Sequence, residues 1–224
     1  ILSTCIYPDV ASRYPMTEDL LHEGPPTATN FSYGYAKRSL AVQIDAYNKQ
    51  YGTQYNYLIP CNLFGEYDHF DFHRSHFVSA LIRKIYEAKR DGTNSIQLFG
   101  SGKPLRQFMY ANDLAVIIQQ VVQQNITKNF NVSVDENLSI KQIAETGLRA
   151  CDATHLQIEF DATKPDGQMR KDASNALLKN ILPQFKFTSL EEGRIRGDLI
   201  QQFKIVKGYD KVNWHKNPRY ISEI

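Results

Sequence analysis

Several features that would point directly to a function are scarce or absent in this sequence. It has three cysteines in 224 residues, and an odd number without Cys-x-x-Cys argues against a disulfide framework and favours a reducing, cytoplasmic setting. No apolar run approaches the ~18 residues of a membrane span, so no membrane partner is expected. Basic and acidic residues nearly balance, 26 against 24, and without a basic stripe no nucleic-acid partner is expected. The six histidines show no metal-ligand spacing, so we predict no metal site.

The sequence also lacks the glycine-rich turn that follows the first strand of a dinucleotide-binding fold. Gly100-x-Gly102 is followed by Pro104 and cannot open a helix. Apolar segments nevertheless alternate between strand and helix patterns, which predicts an α/β fold with parallel strands. We therefore expect a partial Rossmann-type sheet that lacks its cofactor-cradling half.

The predicted elements follow one another closely along the chain. Strands are predicted over residues 1–7, 55–59, 95–99, 107–110, 129–133 and 156–160. Helices are predicted from Tyr33, from about Ser75, from Leu114 after an Asn112-Asp113 cap, and from the Ser139-x-x-Gln142 capping box. Between them, the loop from Gly65 to Ser75 is crowded with His, Asp and Phe, and decorated loops at strand ends often carry sites.

The segment Tyr33-Gly34-Tyr35-Ala36-Lys37 opens the first predicted helix. Tyr33 and Lys37 are four residues apart and therefore share one side of that helix. A phenol in water has a pKa of ~10, and a nearby ammonium stabilises the phenolate and moves its pKa toward neutrality. Because Tyr-x-x-x-Lys also arises by chance, Lys37 could equally be a solvated charge. The pair alone suggests an acid–base function without establishing one.

Several segments together resemble the extended short-chain dehydrogenase/reductase family, and within it the branch of the GDP-L-fucose synthases. They are Ser3-Thr4-Cys5-Ile6-Tyr7-Pro8, the Tyr33/Lys37 pair, Pro60-Cys61-Asn62-Leu63-Phe64-Gly65, Ser75-His76, Phe99-Gly100-Ser101-Gly102, Arg106-Gln107-Phe108 and Lys164-Pro165-Asp166-Gly167. Most of these segments are common among nucleotide-sugar enzymes. Cys5, His76 and residues 164–167, in this order, are specific to the synthase branch.

The resemblance implies epimerisation at C3 and C5 and NADPH-dependent reduction at C4 of GDP-4-keto-6-deoxy-D-mannose, giving GDP-L-fucose. Cys5 would be the base and His76 the acid of the epimerisation. Tyr33 would protonate the C4 oxygen during reduction, tuned by Lys37. Ser3 would hydrogen-bond the ketone oxygen.

The same resemblance implies two sets of binding residues and a homodimer with the Tyr33 helix in its interface. The expected NADP(H)-binding residues are Leu2, Ser3, Thr4, Tyr33, Lys37, Pro60, Cys61, Asn62, Leu63 and His76. The expected residues for the GDP moiety are Lys84, Phe99, Arg106 and Asp166.

The resemblance also implies a division of the chain. Residues 1–63 would belong to the dinucleotide-binding domain, residues 64–206 mostly to a smaller α/β substrate-binding domain with returns to the sheet, and residues 207–224 to a polar tail.

Two alternatives stay open at this point. Another extended short-chain enzyme, such as a nucleotide-sugar 4,6-dehydratase or 4-epimerase, would need no Cys5/His76 pair. An inactive piece acting only in oligomerisation or GDP-sugar binding would need no chemistry at all. Taken singly, Cys5 is compatible with a small buried hydrophobe and His76 with a polar helix-entry residue.

Overall fold

The computed structural model describes residues 1–65, 68–71 and 74–189. The helices are α1 (Phe31–Tyr51), α2 (Phe77–Asp91), α3 (Ala111–Gln123), α4 (Ile140–Ala150) and α5 (Ala176–Ile181), and 3₁₀ turns cover Thr4–Ile6, Glu18–His22 and Ala28–Asn30. The strands are β1 (Leu58–Pro60), β2 (Asn62–Phe64), β3 (Ser95–Phe99), β4 (Leu105–Arg106), β5 (Phe108–Tyr110), β6 (Phe130–Val132), β7 (Leu138–Ser139) and β8 (Gln157–Asp161). The predicted tail, residues 207–224, lies outside the described residues.

Most strand pairing is parallel, as the sequence predicts. Strand β1 pairs with β6, β2 with β5, and β3 with β8, all in parallel register. The short pair β4 and β7 is antiparallel. Parallel neighbours need crossover connections, and helices α2 and α3 lie between paired strands in the chain. The α/β fold class is therefore confirmed.

The amphipathic pattern of α2 is clear in the sequence and is confirmed. Its predicted apolar face, Val78, Leu81, Ile85 and Ala88, is buried, and it packs with α4 residues such as Ile143 in one apolar cluster. The predicted capping box of α4 is also present, since Ser139 Oγ accepts from the Gln142 N–H and the Gln142 side chain accepts from the Ser139 N–H. These two helices support the side of the molecule that carries β3 and β8.

The prediction of a strand over residues 1–7 is wrong. The Leu2 N–H donates to Leu58 O at 2.8 Å, a single strand-like bond, and the chain then turns into the 3₁₀ turn Thr4–Ile6. Ser3 caps this turn, because its Oγ accepts the Cys5 N–H at 3.3 Å. A serine side chain that bonds its own backbone competes with strand pairing, and the apolar composition of the segment hides that competition.

One further prediction about a helix needs correction, and one helix was not predicted. The Asn112-Asp113 cap is wrong, because α3 begins at Ala111 and Tyr110 is its N-cap. Asp113 instead accepts hydrogen bonds from the backbone and hydroxyl of Thr188 at 2.8 and 3.0 Å. Helix α5 has no counterpart among the predicted elements.

Helix α1 runs as predicted from near Tyr33 to Gly52, which caps it in the left-handed region at φ 65°. Its buried residues are Gly34, Arg38 and Ala41. The aromatic residues later in the helix face outward, and Tyr47 and Tyr51 are 53% and 62% exposed. The helix therefore packs against the 3₁₀ turn Thr4–Ile6 through a narrow stripe of buried residues. It leaves a wide apolar face exposed.

Candidate active site

A single open cleft of about 1630 Å³ collects the residues predicted to do chemistry. It is lined by all five predicted catalytic residues, namely Ser3, Cys5, Tyr33, Lys37 and His76. They come from three separate parts of the chain: the 3₁₀ turn Thr4–Ile6 and its cap, the start of α1, and the residue before α2. The roles of these residues remain predictions, but their proximity is a property of the fold.

Cys5 occupies the 3₁₀ turn with its sulfur toward polar groups. Lys171 Nζ lies 2.8 Å from Cys5 Sγ, and Asn30 Nδ2 lies 3.9 Å from the same sulfur. The other two cysteines are buried, and burial raises the pKa of Cys61 to about 12 and that of Cys151 to about 11. A thiol acts as a base or nucleophile through its thiolate, so Cys5 is the cysteine placed for chemistry.

Two residues of α1 fix the position of the Cys5 segment. The buried Arg38 donates from Nε to Ile6 O at 2.8 Å and from its guanidinium to Gly24 O at 2.8 Å. Gly34 lies so close to the segment that a Cβ there would stand 2.7 Å from Cys5 O and 2.6 Å from Pro26 Cβ. The glycine is therefore required for close approach, which holds Cys5 against the helix that carries Tyr33 and Lys37.

We expect Gly34→Ala to destabilise the protein, although the same change in an open helix stabilises it by about 1 kcal/mol. The added methyl would overlap the backbone of Cys5, and overpacking of this kind costs about 1–3 kcal/mol. Urea denaturation measures the difference. Gly147→Ala in α4 is the matched control, because its new methyl would meet the Leu81 side chain at 2.9 Å rather than backbone. An equal or smaller loss at Gly34 would contradict the close-approach argument.

Tyr33 and Lys37 present their polar groups to the cleft. The Tyr33 side chain is 47% exposed, and its hydroxyl makes no hydrogen bond within the part of the chain that the structure describes. Lys37 Nζ donates to Ile1 O at 3.2 Å. Ser3 Oγ accepts from Cys5 N–H, which uses a lone pair and leaves its own proton to donate. The cleft that contains the Cys5 thiol thus also holds two hydroxyl donors and an ammonium.

His76 forms a dyad with a carboxylate that the sequence pattern does not single out. Asp68 Oδ1 lies 3.0 Å from His76 Nδ1, and Ser79 Oγ donates to Asp68 Oδ2 at 2.7 Å. Burial acts to raise the pKa of Asp68, but the hydrogen bonds from Ser79 and His76 outweigh it and lower that pKa. An ionised Asp68 accepts a hydrogen bond from the Nδ1–H of His76 and so orients the ring, leaving Nε2 for a substrate.

If His76 returns a proton to the substrate as predicted, we expect Asp68→Asn to slow that step by about tenfold or more, because an amide is a weaker acceptor and fixes the ring less firmly. Deuterium incorporation into substrate measures this step. Asp91→Asn, at the exposed end of α2, is the matched control and should match the wild type. Equal rates for the two variants would show that Asp68 does not orient His76.

The predicted cofactor residues line the cleft with one exception. Leu2, Ser3 and the predicted residues of the segment 60–63 face it, together with Tyr33, Lys37 and His76. Thr4 is absent from its walls and is 2% exposed. Asn62 donates through Nδ2 to Gln107 O at 2.8 Å, which fixes its side chain between the neighbouring strands β2 and β5.

The predicted substrate residues divide into two groups. Arg106 lines the cleft. Burial lowers the pKa of its guanidinium, and the interaction with the charge of Cys5 acts in the opposite direction. Lys84, Phe99 and Asp166 are not among the cleft-lining residues and lie beyond it, with Lys84 Nζ 5.2 Å from the Phe99 ring.

Asp166 accepts hydrogen bonds from the Ser101 N–H at 2.5 Å and from the Ser101 hydroxyl at 2.8 Å, which lower the pKa of its carboxyl group. The following residue, Gly167, returns to the cleft wall.

Lys171 and Asp68 are the site residues that sequence reasoning missed. The crowded loop from Gly65 to Ser75 was a usable signal for Asp68, since it was already expected to carry a site. No local pattern marks Lys171, which reaches Cys5 across 166 positions of the chain.

Comparison with known proteins assigns the family. The model of the NAD dependent epimerase/dehydratase family matches residues 1–133, more than half of the chain. The chain belongs to this family. The family assignment is consistent with the parallel strand pairs and with the Tyr33/Lys37 pair at the cleft.

The chain is also similar in sequence and in structure to individual members of the family. The chain is 38% identical over 199 residues to a probable GDP-L-fucose synthase of Drosophila melanogaster, covering 85% of this chain and 61% of the relative. It is 36% identical to a GDP-L-fucose synthase of Dictyostelium discoideum, covering 85% and 60%. A crystal structure of a GDP-L-fucose synthetase from Naegleria fowleri bound to NADP superposes with a TM-score of 0.81 at 37% identity, covering 93% of this chain and 65% of that one.

These matches confirm the predicted resemblance to the GDP-L-fucose synthase branch and the predicted Rossmann-type fold. They also show that the chain spans about 60% of the length of the curated relatives it matches. Among the described residues, no helix is long and apolar enough to cross a membrane. Within the same ranges, no group of three or more His, Cys, Asp or Glu side chains could hold a metal ion.

Proposed function

We propose that this protein converts GDP-4-keto-6-deoxy-D-mannose to GDP-L-fucose by epimerisation at C3 and C5 and NADPH-dependent reduction at C4. The observation that carries the proposal is that Cys5 and His76 line one cleft with Tyr33 and Lys37. The first pair suits proton exchange beside a ketone, and the second suits protonation of a reduced ketone oxygen. Relatives named GDP-L-fucose synthase, at 36–38% identity, support the choice of substrate.

The epimerisation needs a base and an acid because the 4-keto group acidifies the C–H bonds at C3 and C5. The Cys5 thiolate removes a proton, and the electrons move onto the ketone oxygen as an enolate. Ser3 donates a hydrogen bond to that oxygen and stabilises the developing charge. His76, oriented by Asp68, returns a proton to the opposite face of the carbon and inverts the centre.

The residues around the cleft fit a nicotinamide cofactor. The segment 60–63 runs from the end of β1 into β2 and lines the cleft, and Tyr33 and Lys37 line the same cleft with hydroxyl and ammonium donors. When bound, NADPH supplies the hydride for C4. Tyr33 then donates its proton to the C4 oxygen, while the positive charge of Lys37 stabilises the resulting phenolate.

The GDP moiety fits the positively charged end of the site. Arg106 lies in the cleft, and its guanidinium suits the pyrophosphate. Beyond it, the Phe99 ring is 64% exposed and lies 5.2 Å from Lys84 Nζ and 6.0 Å from Lys164 Nζ. An exposed aromatic ring flanked by cations suits a nucleotide base beside its phosphates. Asp166 contributes by holding the Ser101 turn next to this ring.

The runner-up functions predict different chemistry at Cys5. A nucleotide-sugar 4,6-dehydratase or 4-epimerase requires no thiol base at this position, whereas a binding or oligomerisation module requires no reaction at all. The Lys171 contact to Cys5 Sγ and the Asp68 contact to His76 suit a base and an acid, and they favour the epimerase-reductase.

The proposed division of the chain places residues 1–63 in the dinucleotide-binding domain and most of the remaining described residues in the substrate-binding domain. The cleft residues fall on both sides of this boundary, with Cys5 and Tyr33 before it and His76 and Arg106 after it. A site between two domains is a common arrangement for ligand binding.

We expect the protein to form a homodimer through the outer face of α1. That face carries exposed aromatic residues along its length, with Tyr47 and Tyr51 in contact at 5.3 Å between ring centroids. Tyr47→Glu should therefore halve the mass measured by sedimentation equilibrium, because a buried charge would oppose association. Tyr55→Glu, outside the helix and 57% exposed, is the control. A monomeric wild type, or a dimer unaffected by Tyr47→Glu, would refute this interface.

The experiment that tests the proposed function is incubation of the full-length protein with NADPH and GDP-4-keto-6-deoxy-D-mannose. We expect oxidation of NADPH together with formation of GDP-L-fucose, identified by chromatography against a standard. A matching dTDP-linked 4-keto-6-deoxy sugar is the control and should give little turnover. NADPH oxidation without GDP-L-fucose would favour another reductase, and no reaction would favour a binding module.

A further inference from the structure

The strongest unassigned feature of the cleft is the contact between Lys171 and Cys5. Lys171 is 9% exposed, and its Nζ lies 2.8 Å from Cys5 Sγ. A buried ammonium is costly unless an anion or several acceptors compensate it. Its nearest chemical partner is a thiol, which becomes an anion by losing one proton.

No carboxylate compensates the Lys171 ammonium in the described ranges of the chain. The next residue, Asp172, is 4% exposed but pairs with Arg170 through both carboxylate oxygens at 2.7 and 3.0 Å. The charge of Lys171 therefore remains available to the sulfur.

The other charged groups of the cleft leave the surroundings of the Cys5 sulfur positively charged. Apart from the two cysteines, the titratable side chains that line it are Tyr33, Lys37, Asp68, His76, Arg106, Tyr110 and Lys171. Asp68 is the acidic one among them that is ionised near neutral pH, and its oxygens accept from His76 and Ser79. Arg106 adds a second positive charge that interacts with Cys5. The environment of the sulfur is thus cationic.

We propose that Lys171 is a positioning residue that holds Cys5 as a thiolate ready to act as a base. The thiol proton passes to solvent, and the sulfur anion accepts a hydrogen bond from the ammonium. In the proposed reaction the same sulfur electron pair then takes the proton from the sugar carbon. The consequence of the Lys171–Cys5 contact for catalysis rests on the proposed function, whereas the ionisation of Cys5 can be measured without any substrate.

The test is the pH profile of Cys5 alkylation by iodoacetamide in the full-length protein, followed by peptide mass spectrometry. Cys151 is buried outside the cleft and serves as an internal standard that should stay unmodified while the fold is intact. The midpoint of the profile is more informative than the rate, because a thiolate that forms more easily is also intrinsically less nucleophilic.

We expect a wild-type midpoint at or below about pH 7, against ~8.5 for an ordinary cysteine. Lys171→Met should raise the midpoint by about one pH unit or more, and Lys171→Arg should restore it because the charge is kept. Lys179→Met is the matched control, since that lysine is on the surface and pairs with Asp135. A wild-type midpoint near 8.5 would overturn the proposal even if Lys171→Met failed to fold, and so would an unchanged midpoint in Lys171→Met.

The outcome separates this inference from the proposed function. Suppose that the midpoint is low and depends on Lys171, but the protein has no epimerase activity. That result would support the ion pair between Lys171 and Cys5 and reject the proposed reaction. An ordinary midpoint in an active enzyme would reject the ion pair and keep the reaction.

Discussion

Cys5→Ser should reduce deuterium exchange into the substrate by about a thousandfold while NADPH still binds. The two side chains are similar in size, but a serine hydroxyl is far less acidic than a thiol and forms no base near neutral pH. General acid–base groups contribute about 10²–10⁴-fold to rate, which sets the expected loss. Proton exchange from C3 and C5 in D₂O, followed by NMR, measures the step directly.

The control for Cys5→Ser is Cys151→Ala. Cys151 is buried in the cluster formed by α2 and α4, away from the cleft, so its variant should exchange protons at the wild-type rate. Quenching of NADPH fluorescence checks that the cofactor site of each variant is intact. If Cys5→Ser exchanges protons normally, then another group is the base and the central assignment is wrong.

Tyr33→Phe should reduce NADPH oxidation by about 10²–10⁴-fold while deuterium exchange continues. The change removes one hydroxyl from a side chain that is already half exposed to the cleft, so the fold should be unaffected. Without that proton donor, the C4 oxygen cannot be protonated as hydride arrives. Cys5 and His76 are untouched, and epimerisation should therefore proceed and accumulate an epimerised ketone.

Tyr35→Phe is the matched control for Tyr33→Phe. Tyr35 is on the same helix two residues away and is 41% exposed, with its ring against Phe31 at 4.7 Å. Losing its hydroxyl should change neither reaction. Loss of both exchange and reduction in Tyr33→Phe would mean that Tyr33 positions the substrate as a whole, and the separation of the two steps would not hold.

The parts of the fold that depend on local pattern could be predicted from sequence. The buried face of α2 and the Ser139/Gln142 capping box follow from spacing and from short-range hydrogen bonds. The strand predicted over residues 1–7 fails for a local reason as well, because the Ser3 side chain bonds the Cys5 N–H and turns the chain. The apolar composition of residues 1–7 does not indicate the hydrogen bond between Ser3 Oγ and the Cys5 N–H.

The site itself could be predicted only in part, because it depends on contacts between distant segments. Resemblance indicated Cys5, Tyr33, Lys37 and His76, and the fold places all four around one cleft. Lys171 reaches Cys5 from the other end of the described chain, and no sequence pattern encodes such a contact. No sequence pattern indicated the hydrogen bond from Arg38 to Ile6 O either, although it holds the 3₁₀ turn that contains Cys5.

Deuterium content of the product tests the central claim most directly. The full-length protein would convert GDP-4-keto-6-deoxy-D-mannose in D₂O with NADPH, and the product would be analysed by NMR and mass spectrometry. A cleft that joins an acid–base pair to a reductive site predicts GDP-L-fucose with deuterium at both C3 and C5 and protium from NADPH at C4. A reduced product without deuterium at C3 and C5 would contradict the proposed roles of Cys5 and His76.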